Sequence, residues 1–177
     1  MSFIVGIDGP AGTGKGTITN LVAKDLKLNQ IDTGAMYRAF TLYMLDNKVE
    51  LDEIEKIKEL LEKVKIDLIQ EDDKETVFLN GKDVTKEIRS KSVTNFVSPV
   101  SSIIEVRIKM VELQRKMAEG KNVIMEGRDI TTYVFPNANV KIYLDANVEE
   151  RAKRRYKENI EKGMQTTFEE VLQDMKK

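Results

Sequence analysis

The sequence contains no cysteine and no histidine in 177 residues. These absences exclude a disulfide framework, a thiol nucleophile, a Cys/His zinc site, a Ser-His-Asp triad and an imidazole base. Chemistry must rest on Lys, Arg, carboxylates, hydroxyls and the backbone. Long apolar runs are also missing, and no stretch reaches the roughly 18 apolar residues of a membrane-spanning helix. The opening MSFIVGID ends its short apolar run at Asp8, without the basic start and longer apolar region of a secretory signal. A cytoplasmic protein is therefore expected, and the lack of cysteine agrees with that compartment. Neither sign of charge is in excess: 29 Lys and Arg against 30 Asp and Glu give a net charge of -1. Nothing draws the chain as a whole to a nucleic acid polymer or a membrane, although basic residues can cluster locally.

A length of 177 residues fits one domain that buries well over half of its unfolded surface. Phe3 to Asp8 reads as a buried strand, followed by a glycine-rich turn and a helix with Ile18, Leu21, Val22 and Leu26 on one face. Helices are predicted from about Ala35 to Leu45 and across Ile54 to Val64. Ile66 to Gln70 and Thr76 to Leu79 read as strands split by the charged turn EDDKE, and Asn80-Gly81 signals a hairpin before Val84. Two further helices are expected, Lys86 to Val97 and Ile103 to Glu119, divided by Pro99. NVIME (Asn122 to Glu126) and VKIYLD (Val140 to Asp145) look like strands buried on both faces. A charged helix from Val148 ends near Gly163, and Thr166 with Glu169 offers a capping box for a last helix. The pattern predicts a three-layer α/β fold with a mainly parallel central sheet and a small β insertion at 66–84.

The stretch from Gly9 to Thr17, GPAGTGKGT, carries the strongest chemical signal. Gly9, Pro10, Ala11, Gly12, Thr13 and Gly14 form a loop whose amides can converge on an anion, with the positive end of the next helix aimed at it. Lys15 adds a mobile cation for the β and γ phosphates of a nucleotide. The strict pattern GxxxxGK[ST] places a hydroxyl next for Mg²⁺, but Gly16 stands there and Thr17 follows one place late, about 100° further round a helix. A metal is then held more by nucleotide oxygens and waters than by the protein.

This loop, together with DTGAMYRA (Asp32 to Ala39), EGRDITTYVFPNANVKIYLDA (Glu126 to Ala146) and ERAKRRYKE (Glu150 to Glu158), closely resembles the bacterial type of cytidylate kinase, a P-loop nucleoside monophosphate kinase. The resemblance covers essentially the whole chain. It implies transfer of the γ-phosphoryl group of ATP to CMP or dCMP, with Mg²⁺, in a single kinase domain expected to be monomeric. It implies that the β insertion belongs to the monophosphate-binding region and that 151–167 begins a lid over ATP. By resemblance Thr33, Arg38 and Arg128 meet the acceptor phosphate, and Ser98, Arg107 and Asp129 read the cytosine ring. Arg154 and Arg155 approach the ATP phosphates, and Glu126, ending a buried strand, orients an Mg²⁺-bound water with Thr17 nearby. Asp145 competes with Glu126 for that role.

The residue chemistry agrees. Only eight of the 29 basic residues are arginine, and six of them, Arg38, Arg107, Arg128, Arg151, Arg154 and Arg155, sit in or beside these segments. Planar guanidinium suits bidentate grip on phosphate. Bland alternatives stay open: Arg38 as an exposed helix ion pair, Ser98 as a cap or turn before Pro99, and Arg151, Arg154 and Arg155 as a solvated helix face. UMP or AMP as acceptor, or a nucleotide-binding module without turnover, are the rival functions. Two departures from the family stand out. Thr131 and Thr132 replace its usual Gly-Thr, and the sequence stops at Lys177, where the family continues with further arginines, a strand and a helix.

Overall fold

The computed structural model describes residues 2–71, 74–161 and 163–176. Asp72 and Asp73 of the expected charged turn, Lys162 of the expected lid and Lys177 lie outside the described residues. The chain begins with β1 (Ile4–Asp8), α1 (Lys15–Leu26), β2 (Asn29–Asp32), α2 (Thr33–Asp46) and α3 (Ile54–Lys63). It continues through β3 (Ile66–Glu71), β4 (Lys74–Leu79), β5 (Lys82–Asp83), α4 (Lys91–Ser102) and α5 (Ile104–Ala118). The last elements are β6 (Val123–Gly127), β7 (Val140–Tyr143), α6 (Val148–Glu161) and α7 (Phe168–Lys176). Four strands form a parallel sheet in the order β2-β6-β1-β7, and β3-β4-β5 form a separate antiparallel one. This is the expected α/β architecture with its β insertion.

Strand periodicity divides the core. In β6, Val123 and Met125 join the large cluster built on Met36, Phe40 and Met110, whereas Ile124 between them points to the other face. There it meets Val5 and Ile7 of β1 and Ala23 of α1. A parallel strand flanked by layers on both sides needs this continuous apolar run. The insertion shares the larger cluster: Ile66, Val77, Leu79 and Val84 are buried with Phe40 and Met36 of α2. Its second hairpin turns at Asn80 and Gly81, both with positive φ (49° and 83°), the conformation that a two-residue primed turn requires.

Four local expectations need correction. First, α1 does not bury Ile18, Leu21 and Leu26, which are 38%, 58% and 61% exposed; it buries Lys15, Thr19 and Ala23. Those three are four residues apart and share one stripe, so placing Lys15 at the loop sets the rotation of the whole helix. Second, VKIYLD is not buried on both faces. All four residues of β7 are exposed, because β7 pairs only with β1 and, among the described residues, no strand pairs with its outer edge.

Third, Pro99 does not separate two helices but lies in the last turn of α4. A proline there removes only one helical N–H, and the Ser101 and Ser102 hydroxyls donate to the Ser98 carbonyl at 2.8 and 3.1 Å. The break comes at Ile103, whose backbone is extended. The region 86–90 is separate, forming a single 3₁₀ turn before Ser90 caps α4 through the Val93 amide. Fourth, the capping box of α7 sits one residue later than expected. Glu170 accepts from the Thr167 amide at 2.8 Å while the Thr167 hydroxyl accepts from the Glu170 amide at 3.2 Å.

Among the described residues the outer edge of β7 is unpaired, and such an edge is a template for pairing between molecules. Tyr143→Lys, at a side chain 70% exposed, is expected to change stability by less than about 0.5 kcal/mol and to reduce concentration-dependent association in light scattering. Unchanged association in this variant shows that the edge is not used.

Candidate active site

The glycine loop leaves β1 at Asp8 and ends at Gly14, whose φ of 92° starts α1 at Lys15. Gly12, with a φ of 77°, has no room for a side chain: a Cβ there would lie 2.8 Å from the Arg151 carbonyl oxygen. The loop and α6 are therefore in backbone contact. The Arg154 guanidinium donates to the Thr13 carbonyl at 2.9 Å and that of Arg151 to the Ala11 carbonyl at 3.5 Å. Two of the three α6 arginines thus rest on the phosphate loop rather than on a solvated face, and the third, Arg155, lines the cleft beside it.

This cleft has a volume of about 800 Å³ and joins the two halves expected from the sequence. At one end are Ala11, Gly12, Gly14, Lys15, Gly16 and Thr17; at the other Ser98, Arg107 and Asp129, with Thr33, Arg38, Glu126 and Arg128 between them. Asp145 does not line it; its carboxylate accepts from the Ala146 amide. Gly9, Pro10 and Thr13 support the loop from behind: the Lys15 ammonium donates to the Pro10 carbonyl at 2.8 Å and the Thr13 hydroxyl to the same oxygen at 3.1 Å.

The vacancy at Gly16 has a neighbour. A Cβ at Gly16 would stand 3.3 Å from a carboxylate oxygen of Glu126, so a serine in the strict pattern would press on that carboxylate. The late hydroxyl and the nearby carboxylate are two aspects of one packing solution. Glu126, Asp32 and Thr17 provide hard oxygen donors on this wall of the cleft, which suits Mg²⁺ held largely through waters and phosphate oxygens. Among the described residues no group of three or more carboxylates could grip a metal unaided.

Cations outnumber their partners here. Among the described residues Arg38 donates to neutral acceptors, the Ile88 carbonyl at 3.3 Å and the Thr94 hydroxyl at 3.0 Å, and forms no exposed ion pair. Burial lowers its pKa, and the charges of Arg155 and Arg89 lower it further. Arg128 is likewise pushed down by burial and then by Arg155 and Arg151. Lys15 is lowered by burial and by Arg128, against the opposing pull of Glu126, Asp8 and Asp32. Such a cluster favours an anion in its midst.

Other predicted residues have protein partners already. The Thr33 hydroxyl donates its one proton to the Glu126 carbonyl at 2.6 Å, so it must turn from that acceptor to donate to a phosphate in the cleft. Arg107 and Asp129 form an ion pair at 2.5 Å. Ser98 lies inside α4, not in a turn or cap, and is exposed to the cleft. The departure at Thr131 also has an explanation: its amide and hydroxyl both donate to Asp8, at 2.8 and 2.6 Å, and the Ile130 amide donates at 2.8 Å. Asp8 is 2% exposed. Sequence reasoning passed over Asp8, Tyr37 and Gln114, though Tyr37 stands inside the quoted DTGAMYRA. Tyr37 lines the cleft with its pKa raised to about 12, first by burial and then by Asp129, and so remains a hydroxyl at neutral pH.

Glu126 and Glu75 are both raised to about 7, chiefly by burial and next by the Asp32 carboxylate. A carboxyl raised on folding binds more protons in the native state than in the unfolded chain from the ordinary range, near 4.5, up to about 7. Its contribution to stability therefore falls as pH rises through that window. Glu75→Gln is expected to flatten this fall in urea denaturation midpoints between pH 5 and 7.5 (roughly the window given by the two carboxyls); a parallel curve would mean that Glu75 titrates normally.

Comparison with known proteins identifies the family. The sequence profile of the family described as cytidylate kinase matches residues 5–177. A cytidylate kinase of Fusobacterium nucleatum is 49% identical over 175 residues, 99% of this chain and 78% of that protein. Those of Leuconostoc mesenteroides and Bacillus subtilis are 49% and 46% identical, over 98% and 97% of this chain and 78% and 76% of their own lengths. A profile match over nearly all of the chain and relatives near half identity lead to one conclusion: the chain belongs to the cytidylate kinase family.

Proposed function

We propose that the protein transfers the γ-phosphoryl group of ATP to CMP or dCMP, giving ADP and CDP or dCDP. The observation that carries this is the continuity of the cleft from the phosphate loop to the Arg107–Asp129 pair, with Arg38, Arg128 and Arg155 between. The partners are small nucleotides, and the chain acts as one cytoplasmic kinase domain, monomeric, with 151–167 as its lid. Among the described residues no helix is long and apolar enough to cross a membrane.

The residues divide the work. Gly9 to Thr17 hold the ATP phosphates against the α1 N-terminus, and Lys15 follows the β and γ oxygens as they separate. Arg128, Arg154 and Arg155 spread the charge of the transferring group, while Thr33, Arg38 and Arg128 hold the acceptor phosphate in line. That phosphate is already an oxyanion at neutral pH, so no general base is required and the lack of histidine costs nothing. Bound Mg²⁺ supplies further neutralisation of the phosphate oxygens, with Thr17 and Glu126 orienting its waters.

Asp129 accepts from the exocyclic amine of cytosine, and Ser98 and Arg107 donate to ring acceptors. UMP would bring a carbonyl oxygen to the Asp129 carboxylate and leave buried groups badly paired. An acceptor panel of CMP, dCMP, UMP and AMP with ATP should give the highest kcat/KM for a cytosine nucleotide, and Asp129→Asn should narrow CMP over UMP by about tenfold or more. A preference for UMP or AMP, or nucleotide binding without ADP formation, overturns the assignment.

The fit of Gly16 against Glu126 yields a second test. Gly16→Ser restores the strict phosphate-loop pattern, yet it should lower kcat, by up to about tenfold, because the new Cβ makes the carboxylate that orients the metal's waters shift. Equal or faster turnover would show that the carboxylate has no such task.

A further inference from the structure

Gln114 stands seven residues after Arg107 on α5, two turns along the same helix face, with Val111 buried between them. Arg107 and Gln114 both line the nucleotide cleft. Gln114 is only 1% exposed, and its side-chain oxygen Oε1 is buried without a hydrogen-bond partner. Among the described residues, buried side-chain atoms of Thr19, Gln30 and Glu75 share that condition, but Gln114 alone of these lines the cleft. An amide oxygen closed off from water and left unbonded is costly, and an apolar side chain of similar length would avoid the cost.

The arginines nearby are committed elsewhere. Arg107 is bound to Asp129, Arg115 of the same helix donates to the Val134 and Tyr133 carbonyls, and Arg38 donates to Ile88 and Thr94. Arg128 lies in the field of Arg155 and Arg151, toward the phosphate loop. The missing donor is then one that a ligand brings. We propose that Gln114 is a second specificity-determining contact to the acceptor base, its amide turning on binding so that Oε1 accepts one N–H of the cytosine exocyclic amine while Asp129 accepts the other. The proposal rests on the reading that the Arg107–Asp129 end of the cleft holds that base.

The two acceptors differ in what they tolerate. A carboxylate offers only acceptors, so Asp129 repels the carbonyl oxygen of uracil. A primary amide can turn over and present its NH₂ group instead, so Gln114 holds an amine well and forgives a carbonyl. Asp129 therefore discriminates and Gln114 contributes affinity for either pyrimidine. Replacing the amide by a second carboxylate makes the site less forgiving.

Steady-state kinetics with CMP and UMP at saturating ATP, on the wild type, Gln114→Met, Gln114→Glu and Asp129→Asn, test this, alongside thermal melting of each ligand-free protein. Gln114→Met, close in volume, should raise KM for CMP by about five- to tenfold, the size of one lost hydrogen bond, with KM for ATP within about twofold. Its ligand-free melting temperature should equal or exceed the wild type, because an unbonded buried amide has been replaced by an apolar group. Gln114→Glu should raise the CMP-over-UMP ratio of kcat/KM by about threefold or more, a change that a purely structural glutamine would not produce. The proposal fails if Gln114→Met leaves KM for CMP unchanged while Asp129→Asn raises it. It also fails if Gln114→Met melts earlier and raises both KM values together, which marks a structural role. If neither Asp129→Asn nor Gln114→Met alters KM for CMP, the base lies elsewhere, and the assignment of this end of the cleft falls along with the proposal.

Discussion

The active site hangs on the carboxylate of Asp8. It closes the strand that feeds the phosphate loop, and it takes three hydrogen bonds from Ile130 and Thr131, residues that lie more than 120 positions away in sequence. Those residues immediately follow Arg128 and Asp129. One buried anion therefore ties the donor side of the cleft to the acceptor side, and their spacing is fixed by short hydrogen bonds rather than by loop flexibility. Gly6 belongs to the same arrangement, since a Cβ at that position would collide with the Thr131 methyl at 2.8 Å.

Around this anchor the protein holds like charges together. Arg38, Arg128, Arg155 and Lys15 share one cleft, and burial compounds their mutual repulsion. Beside Lys15 the carboxylates of Asp32 and Glu126 repel one another, and Glu126 stays protonated further toward neutrality than a surface carboxylate. A nucleotide with its metal brings both sets further partners: anions for the guanidiniums, of which Arg155 already meets Glu158 at 3.4 Å, and a cation for the carboxylates beside Lys15. Preorganised charge of this kind is the main resource of a phosphoryl-transfer site that has no covalent chemistry of its own.

The sequence disclosed the parts whose physics is local. The glycine loop, the Asn80-Gly81 turn and the apolar run of β6 each follow from a few adjacent residues, and all three stand where expected. What escaped depends on neighbours distant in the chain. The apolar spacing of α1 suggested an inward face through Ile18 and Leu21, but the loop had already fixed the helix rotation through Lys15. The apolar run at Val140 to Tyr143 reads by itself as a strand buried on both faces; only likeness to longer relatives suggested that it lies at an edge. The same holds for the site: Arg107 and Asp129 entered through family likeness, whereas Asp8 and Gln114 gained meaning only once three-dimensional partners, or their absence, could be seen.

The β insertion has its roots in the main core, with Ile66, Val77, Leu79 and Val84 buried against the helix that carries Arg38. It is therefore not a modular appendage. A chimera that exchanged 66–84 with the corresponding piece of a relative would have to exchange the facing surface of α2 as well, and evolution faces the same coupling. Change in the acceptor region is constrained to travel as a co-varying block of insertion and helix, so diversity in this family should accumulate there in correlated steps rather than by independent drift of the hairpin.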